Sequence, residues 1–256
     1  MPDSAEMRRV AREGALLAGG ARAILLQVAH PGVARGVAGH SDFSARPLDR
    51  LRATLTYVYG VTYGTPEEAR AVAALVTEAH RPVAGAGYRA SDPELQLWVA
   101  ATLYDTAILL YEELFGPLEA AMADKVYAQY GVLGTALQVP ARLWPSDRAA
   151  FRAYWDHMVA TLEVSDEARR IADDLLHARG APLLLKAAVP LNRFLTAAWL
   201  PARIRREYGL AWGGLHQRGY DVALKVGAPL YRLLPVPLRE APKTWYLHDL
   251  RRRLAG

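Results

Sequence analysis

The sequence has no cysteine among its 256 residues. That absence excludes a disulfide framework, thiolate nucleophiles, iron–sulfur clusters and thiolate-ligated haem. Any metal or haem would have to be held by His, carboxylate, Tyr, Met or Lys. No run of about 18 uncharged apolar residues occurs, so no helix is expected to cross a membrane. The N-terminal stretch MPDSAEMRRVAREGALLAGG places Asp3 and Glu6 where a signal peptide would be basic. These two absences point to a soluble, cytoplasmic chain. The common catalytic signatures are missing as well: there is no GxxxxGK[ST], GxGxxG, GxSxG or HExxH. A ferritin-like di-iron bundle needs paired Glu-x-x-His motifs. Asp174-Leu-Leu-His177 has the right offset but no sister motif.

What is present favours helices. Hydrophobic residues make up 52% and charged residues 22%, which places the chain among globular proteins and not disordered ones. Ala, Leu and Arg are abundant, β-branched residues are sparse, and no segment alternates with period two long enough to make a convincing strand. The pattern predicts helices over about 4–18, 21–29, 47–62, 66–84, 93–114, 118–138, 146–162, 165–178, 183–199, 212–233 and 240–254. Ser91-Asp92-Pro93-Glu94 is a start signal: cap residue, proline, then acid in the first turn. Pro31 either ends the 21–29 helix or opens a short turn, and His40-Ser41-Asp42 to Pro47 reads as a loop. The expected fold is all-α, a single globular domain. Residues 1–180 form its core and 181–256 a C-terminal region packed on it, with a boundary near Gly180-Ala181-Pro182.

The charge is uneven. Residues 181–256 carry thirteen Lys and Arg against four Asp and Glu, a net of +9, which leaves the rest of the chain at −4 of the total +5. Leu, Trp and Pro are interleaved with that charge and no docking motif accompanies it, which argues against nucleic acid. A peripheral membrane contact or an amphipathic cover over a greasy ligand fits a basic, apolar region better. Arg251-Arg252-Arg253 reads as a solvated helix end.

Candidate site residues come from periodicity. Ala69, Val72, Val76, His80 and Val83 recur at spacings of three and four, so His80 shares the inward stripe of its helix. An inward histidine needs a hydrogen bond, a counter-charge or a metal. A backbone-bonded structural histidine and a metal ligand are both open readings. In PLDRLRATLTYVYG, Arg50, Ala53, Thr54, Tyr57 and Val61 form one face, with two polar groups on an otherwise apolar surface. Those two are either rim residues with packed stems or donors aimed into a pocket. Helix 93–114 is apolar nearly all round except for Asp105, which calls for a partner such as Arg50, Arg81 or a histidine.

The ordered segments QVAHPGVARGVAGHSDF, DRLRATLTYVYG, YGTPEEA and HRPVAG…YRASDPELQLWVAATL resemble the family of rubber (latex-clearing) oxygenases and fungal prenyl-chain-cleaving oxygenases of mycophenolic acid synthesis. The likeness covers about residues 10–180. It implies a globin-like helical core around haem b, with the iron's axial ligand in the His-x-x-Val-x-Gly motif, here His80 to Gly85. It also implies an Arg-x-x-Lys-Thr motif on the distal helix. Arg50 and Thr54 match as catalytic groups, while Ala53 stands at the lysine position. Of the two candidate cofactor-binding histidines His30 and His40, one is expected to contact a haem propionate or shape the pocket, with plain structural hydrogen bonding as the alternative. The expected activity is dioxygen-dependent oxidation or cleavage of a hydrophobic, isoprenoid-like substrate. A non-catalytic haem or apolar-ligand binding protein, such as a sensor or carrier, is the alternative.

Overall fold

The computed structural model describes residues 4–40, 47–177 and 187–255, and side chains throughout these except at 40 and 47–50. Helices dominate the described residues, as the composition predicts. α1 is Ala5–Ala11, and a 3₁₀ segment, Gly14–Gly19, leads into α2, Gly20–Ala29. α3 is Pro31–His40, α4 Pro47–Tyr63, α5 Pro66–His80 and α6 Pro93–Phe115. α7 (Ala120–Tyr130), α8 (Val132–Thr135), α9 (Arg148–Thr161) and α10 (Asp166–His177) follow. After the undescribed stretch come α11 (Val189–Trp199), α12 (Ala202–Glu207), α13 (Gly214–Leu233), α14 (Val236–Arg239) and α15 (Ala241–Ala255).

Local chemistry sets the helix starts. Thr65 and Glu68 form a reciprocal capping box at α5, with bonds of 3.2 and 2.9 Å and Pro66 in the first turn. Asp92 caps α6 by accepting from the Glu94 N–H at 2.8 Å. α9 is capped by Asp147 and not by Ser146. The Asp147 carboxylate takes the Ala150 N–H at 2.8 Å, whereas Ser146 donates to that carboxylate. Pro31 opens a ten-residue helix, α3, not a short turn. His30 is its cap: the ring Nδ1 accepts the Gly32 N–H at 3.1 Å.

Three elements depart from the expected pattern, the first being the expected 4–18 helix, which divides into α1 and the 3₁₀ segment Gly14–Gly19. α5 stops at His80 because Pro82 cannot continue the helix. Beyond it Ala84–Gly85 and Tyr88–Arg89 form a two-residue antiparallel hairpin (β1 and β2), with Ala84 opposite Arg89. Gly87 turns it with φ of 76°, a left-handed conformation that favours glycine. The expected 118–138 helix divides at Gly131 into α7 and α8.

α6 is the hub. Gln96, Leu97, Trp98, Ala100, Ala101, Thr102, Tyr104, Thr106, Ala107, Leu110 and Tyr111 are all buried, which spans every side of the helix. It packs against α2, α8, α13 and the 3₁₀ segment. Trp98 stacks on Trp155 at 5.3 Å and donates its indole N–H to the Leu26 carbonyl at 2.9 Å. Tyr104 meets Phe151, Tyr127 and Tyr130 edge-on at 4.8 to 5.4 Å. α4 lies against α5 at Gly60, where a Cβ would come within 2.9 Å of Val72. Ala197, Leu200, Ile204, Leu210 and Leu250 join the same core, so the C-terminal residues share it with the N-terminal ones. The expected boundary near 180–182 lies outside the described residues.

The acid on α6 finds a partner the pattern did not indicate. Asp105 pairs with Arg22 of α2 at 2.5 Å, not with Arg81 or a histidine. Arg22 is 3% exposed and also donates to Thr106 Oγ1 and to the Trp199 carbonyl. The terminal arginines are not merely solvated. Arg252 and Arg253 turn back on Asp249 at 3.0 Å, Arg52 reaches the same carboxylate at 2.7 Å, and Arg251 bonds Glu68 at 2.8 Å. These links pin α15 to α4 and α5. The hydrogen bond from Arg52 holds the Asp249 carboxyl below the usual carboxylate range.

Two predictions follow from this packing. Asp105→Ala strands a buried guanidinium and should cost about 3 kcal/mol in urea unfolding, since breaking a buried pair from one side is expensive. Arg22→Met with Asp105→Leu should lose less than the single change. Burial also lowers the His30 pKa below its ordinary value of 6.5. The folded chain therefore resists a proton that the unfolded chain accepts, and stability is full above about pH 6.5 and falls below it. His30→Asn keeps a cap acceptor and should flatten that decline. Parallel pH profiles of wild type and variant would refute the assignment.

Candidate functional site

A cavity of about 330 Å³ opens between α3, α4, α5 and the N-terminal half of α6, within the range of small-molecule sites. Each wall follows from a sequence pattern. α3 contributes Gly32, Val33, Gly36 and Val37, a strip of small residues and valine. α4 contributes Ala53, Thr54 and Tyr57, three members of the face that the sequence singled out. α5 contributes Val76, Ala79 and His80 from its inward stripe, and Val83 continues the wall beyond the helix end. Tyr88 of the hairpin closes one side, packed on Gly36 and Gly85, with the Arg35 guanidinium 5.8 Å from its ring centre. Leu95, Gln96, Val99, Ala100 and Leu103 of α6 continue the lining, with Ala90, Leu133 and Leu137. Ala53 and Ala79 are exposed and lie at the rim.

His80 and Thr54 therefore meet at one cavity from different helices. His80 is partly buried, and its Nδ1 atom is buried. Tyr57 spans the interior and donates its hydroxyl to the Leu133 carbonyl at 2.7 Å. Burial pushes the Tyr57 phenol far above its ordinary range, so it stays a neutral donor. His30 is placed otherwise. It caps α3 and is not among the residues lining the cavity, although its ring comes close behind Gly32. His40 ends α3, and Arg50 lies in the first turn of α4, one turn before Thr54. The side chains of both lie outside the described residues.

Sequence reasoning missed the amides. Gln96 is 5% exposed and donates to the Ala90 carbonyl at 2.9 Å and to Gln138 Oε1 at 2.6 Å. The Gln138 N–H donates back to Gln96 at 2.9 Å, and its side-chain amide donates to Thr77 Oγ1 at 3.0 Å. This chain of bonds ties the start of α6 to the last turn of α5, the turn that carries His80. Gln27 of α2 lines the cavity and is 5% exposed, a polar amide on an otherwise apolar wall. Its only sequence signal is its place inside the apolar run ILLQVA, where a buried amide must find a partner.

The donor set is sparse. Among the described residues no three or more His, Asp or Glu side chains come together in a group able to hold a metal ion. His177, in the DLLH segment, bonds the Asp173 carbonyl and carboxylate at the end of α10, well apart in sequence from the cavity walls. The cavity offers one imidazole, one threonine hydroxyl, buried amides and apolar walls. That set can give one imidazole ligand and a few hydrogen bonds to a mostly apolar guest. It cannot cage a bare cation, which needs several protein ligands.

Comparison with known proteins agrees with the motif order. The model for the "ER-bound oxygenase mpaB/B'/Rubber oxygenase, catalytic domain" family matches residues 7–228. An uncharacterized protein of Mycobacterium tuberculosis and one of Mycobacterium bovis are each 36% identical over 240 residues, covering 90% of this chain and 94% of theirs. No solved structure matches the chain. Among the described residues no helix is long and apolar enough to cross a membrane. A match that spans every wall of the cavity places the chain in the mpaB/rubber oxygenase catalytic-domain family.

Proposed function

We propose that the chain is a haem b-dependent oxygenase that uses dioxygen to oxidise or cleave a hydrophobic, isoprenoid-like substrate. The observation that carries this reading is the lone imidazole of His80 on the wall of an apolar cavity. Haem is the iron site for which one protein ligand is enough, because the porphyrin supplies the equatorial bonds. The residues present fit it. His80 lines the cavity and would hold the iron through its imidazole. Gly32 and Gly36 keep one wall flat, and valines and leucines supply apolar contact.

Haem, when bound, supplies the redox chemistry with dioxygen, and the protein supplies access, polarity and orientation. The rest is the work of side chains. His80 is the residue that would hold the iron, and the Gln96–Gln138–Thr77 bonds fix the last turn of α5 that carries it. Thr54 offers a hydroxyl to polar atoms entering from the α4 side, and Arg50, four residues earlier, shares its helix face. Gln27 gives a neutral amide that orients a polar end of the guest without adding charge. The apolar lining excludes water and favours a hydrocarbon chain. His30 acts by starting α3, whose glycines line the cavity, while the side chain of His40, the residue expected beside a propionate, lies outside the described residues.

Ala53 favours a second reading. A methyl group at the cavity rim, where related oxygenases carry an amine, removes a ligand or base, and a haem or apolar-ligand binding protein without turnover would need neither.

Two measurements test the proposal. Protein produced with haem supplied should show a Soret band that His80→Ala shifts or abolishes. A missing band, or one that this change leaves alone, would sink it. With dioxygen and a panel of isoprenoids, mass spectrometry should find oxygenated or carbonyl products, and Thr54→Val should lower their rate by about a hundredfold, the scale of one transition-state donor. Spectral binding of isoprenoids with no product would give the decision to the carrier reading.

A further inference from the structure

The C-terminal helix α13 is amphipathic in an unusual sense, because both its faces are apolar. Tyr220, Leu224, Ala228 and Tyr231, spaced by four, four and three, turn toward α6 and α11. That face is committed. Trp199 donates to the Tyr220 hydroxyl at 2.8 Å, and the Tyr231 hydroxyl donates to the buried Glu13 at 3.0 Å. On the opposite side Leu215, Val222, Val226, Leu230 and Leu233 recur at spacings of seven, four, four and three. Leu215 is 81% exposed and Leu233 79%. The exposed apolar surface continues past the helix through Leu234, Val236 and Leu238. A contiguous exposed apolar stripe of this kind marks an interaction site.

The charge beside the stripe says what meets it. Arg218, Lys225 and Arg232 follow one another at intervals of seven, so they form a single rail along one flank of the stripe. All three are exposed, and none has an ion-pair partner among the described residues. Leu and Val at the acyl boundary with Lys and Arg at the phosphates is the arrangement of a helix lying in a membrane interface. A second copy fits less well. An antiparallel face-to-face pair related by a two-fold axis would set side by side two flanks that each carry three cations against one carboxylate, Asp221, which accepts from Gln217 at 2.8 Å.

We propose that α13 docks the protein on an anionic lipid bilayer, with Leu215, Val222, Val226, Leu230 and Leu233 in the acyl boundary and Arg218, Lys225 and Arg232 on lipid phosphates. The inference rests on the outer face of α13 and stands whether or not the cavity holds haem. It gives the basic C-terminal third a task, and it brings an enzyme for apolar substrates to the phase in which such substrates dissolve.

The test is sedimentation of the full chain with vesicles. Wild type should bind vesicles of phosphatidylcholine containing about a third phosphatidylglycerol, and bind more weakly as salt rises. The double change Val222→Asp with Val226→Asp should abolish binding. The triple change Arg218→Gln, Lys225→Gln and Arg232→Gln should weaken it roughly a hundredfold, on the scale of a basic residue near a charged surface. Every position changed is exposed, and unchanged circular dichroism and melting temperature would certify the fold. Absence of binding by wild type, or equal binding by both variants, overturns the proposal. So does a wild-type dimer in light scattering that Val222→Asp with Val226→Asp converts to monomer, since a second copy would then be the occupant.

Discussion

Everything in this fold is arranged around a helix that cannot face water on any side. α6 buries residues all round its axis, so the chain must wrap it completely. α2 and the 3₁₀ segment lie on it, as do α8 and α13. The one strong charge near its middle, Asp105, is neutralised by an arginine from the wrapping layer, not by solvent. Burying such a helix also leaves a defect. Near the N-terminal end of α6 the neighbours are α3, α4 and α5, and Val99 and Leu103 do not fill the space between them. Native interiors seldom keep such voids. The glycines of α3 let Leu95 and Tyr88 approach closely instead of opening that space, so its contents must compensate for contacts the walls do not make with each other.

Much of this was legible from spacing. The α5 stripe identified His80 as inward-facing, and the α4 face identified Thr54 and Tyr57. Those patterns are local, because a helix of known phase fixes which residues share a side. The start of α6 was equally plain, since Asp92, Pro93 and Glu94 each do one physical job at a helix N-terminus. What was not legible depends on tertiary partners. Nothing in the sequence near Asp105 indicates Arg22, which lies 83 residues away. The Gln96–Gln138–Thr77 bonds likewise join three elements that no periodicity links. Pro31 was ambiguous for a different reason. A proline after a helix either stops the chain or opens a new helix, and the His30 cap that decides the matter uses a residue type seldom considered for that task.

The two halves of the chain show the same economy at different places. In the N-terminal half the buried Arg22, Gln96 and Glu13 are each bound to particular partners. In the C-terminal half charge is abundant, and it divides into two uses. Arg252, Arg253 and Arg52 converge on Asp249, and Arg251 takes Glu68, so part of the basic excess is internal stitching between α15 and α4 or α5. Arg239 and Lys243 likewise take Glu13 and Glu240, whereas Arg218, Lys225 and Arg232 sit on the outer flank of α13, beside aliphatic side chains that the fold leaves uncovered. Composition alone could not separate these uses, since both read as a basic, apolar tail.

Ala53 carries the last step. Its neighbours at the rim, Thr54 and Ala79, leave the α4 side of the cavity without a formal charge among the described residues. An amine there would bring a cation into a partly dry site, where it must be paired or lose its proton. With a methyl group in that place no such demand arises, and the wall can accept apolar carbon closer to the α4 backbone. Among the described residues, polarity inside the cavity then rests on neutral groups, the hydroxyl of Thr54 and the amides of Gln27 and Gln96, which impose direction without charge. A site built this way discriminates among guests by shape and by the placement of one or two polar atoms. A missing methylene is then a weak signal and a misplaced oxygen a strong one, because an unpaired buried amide costs more than a small void.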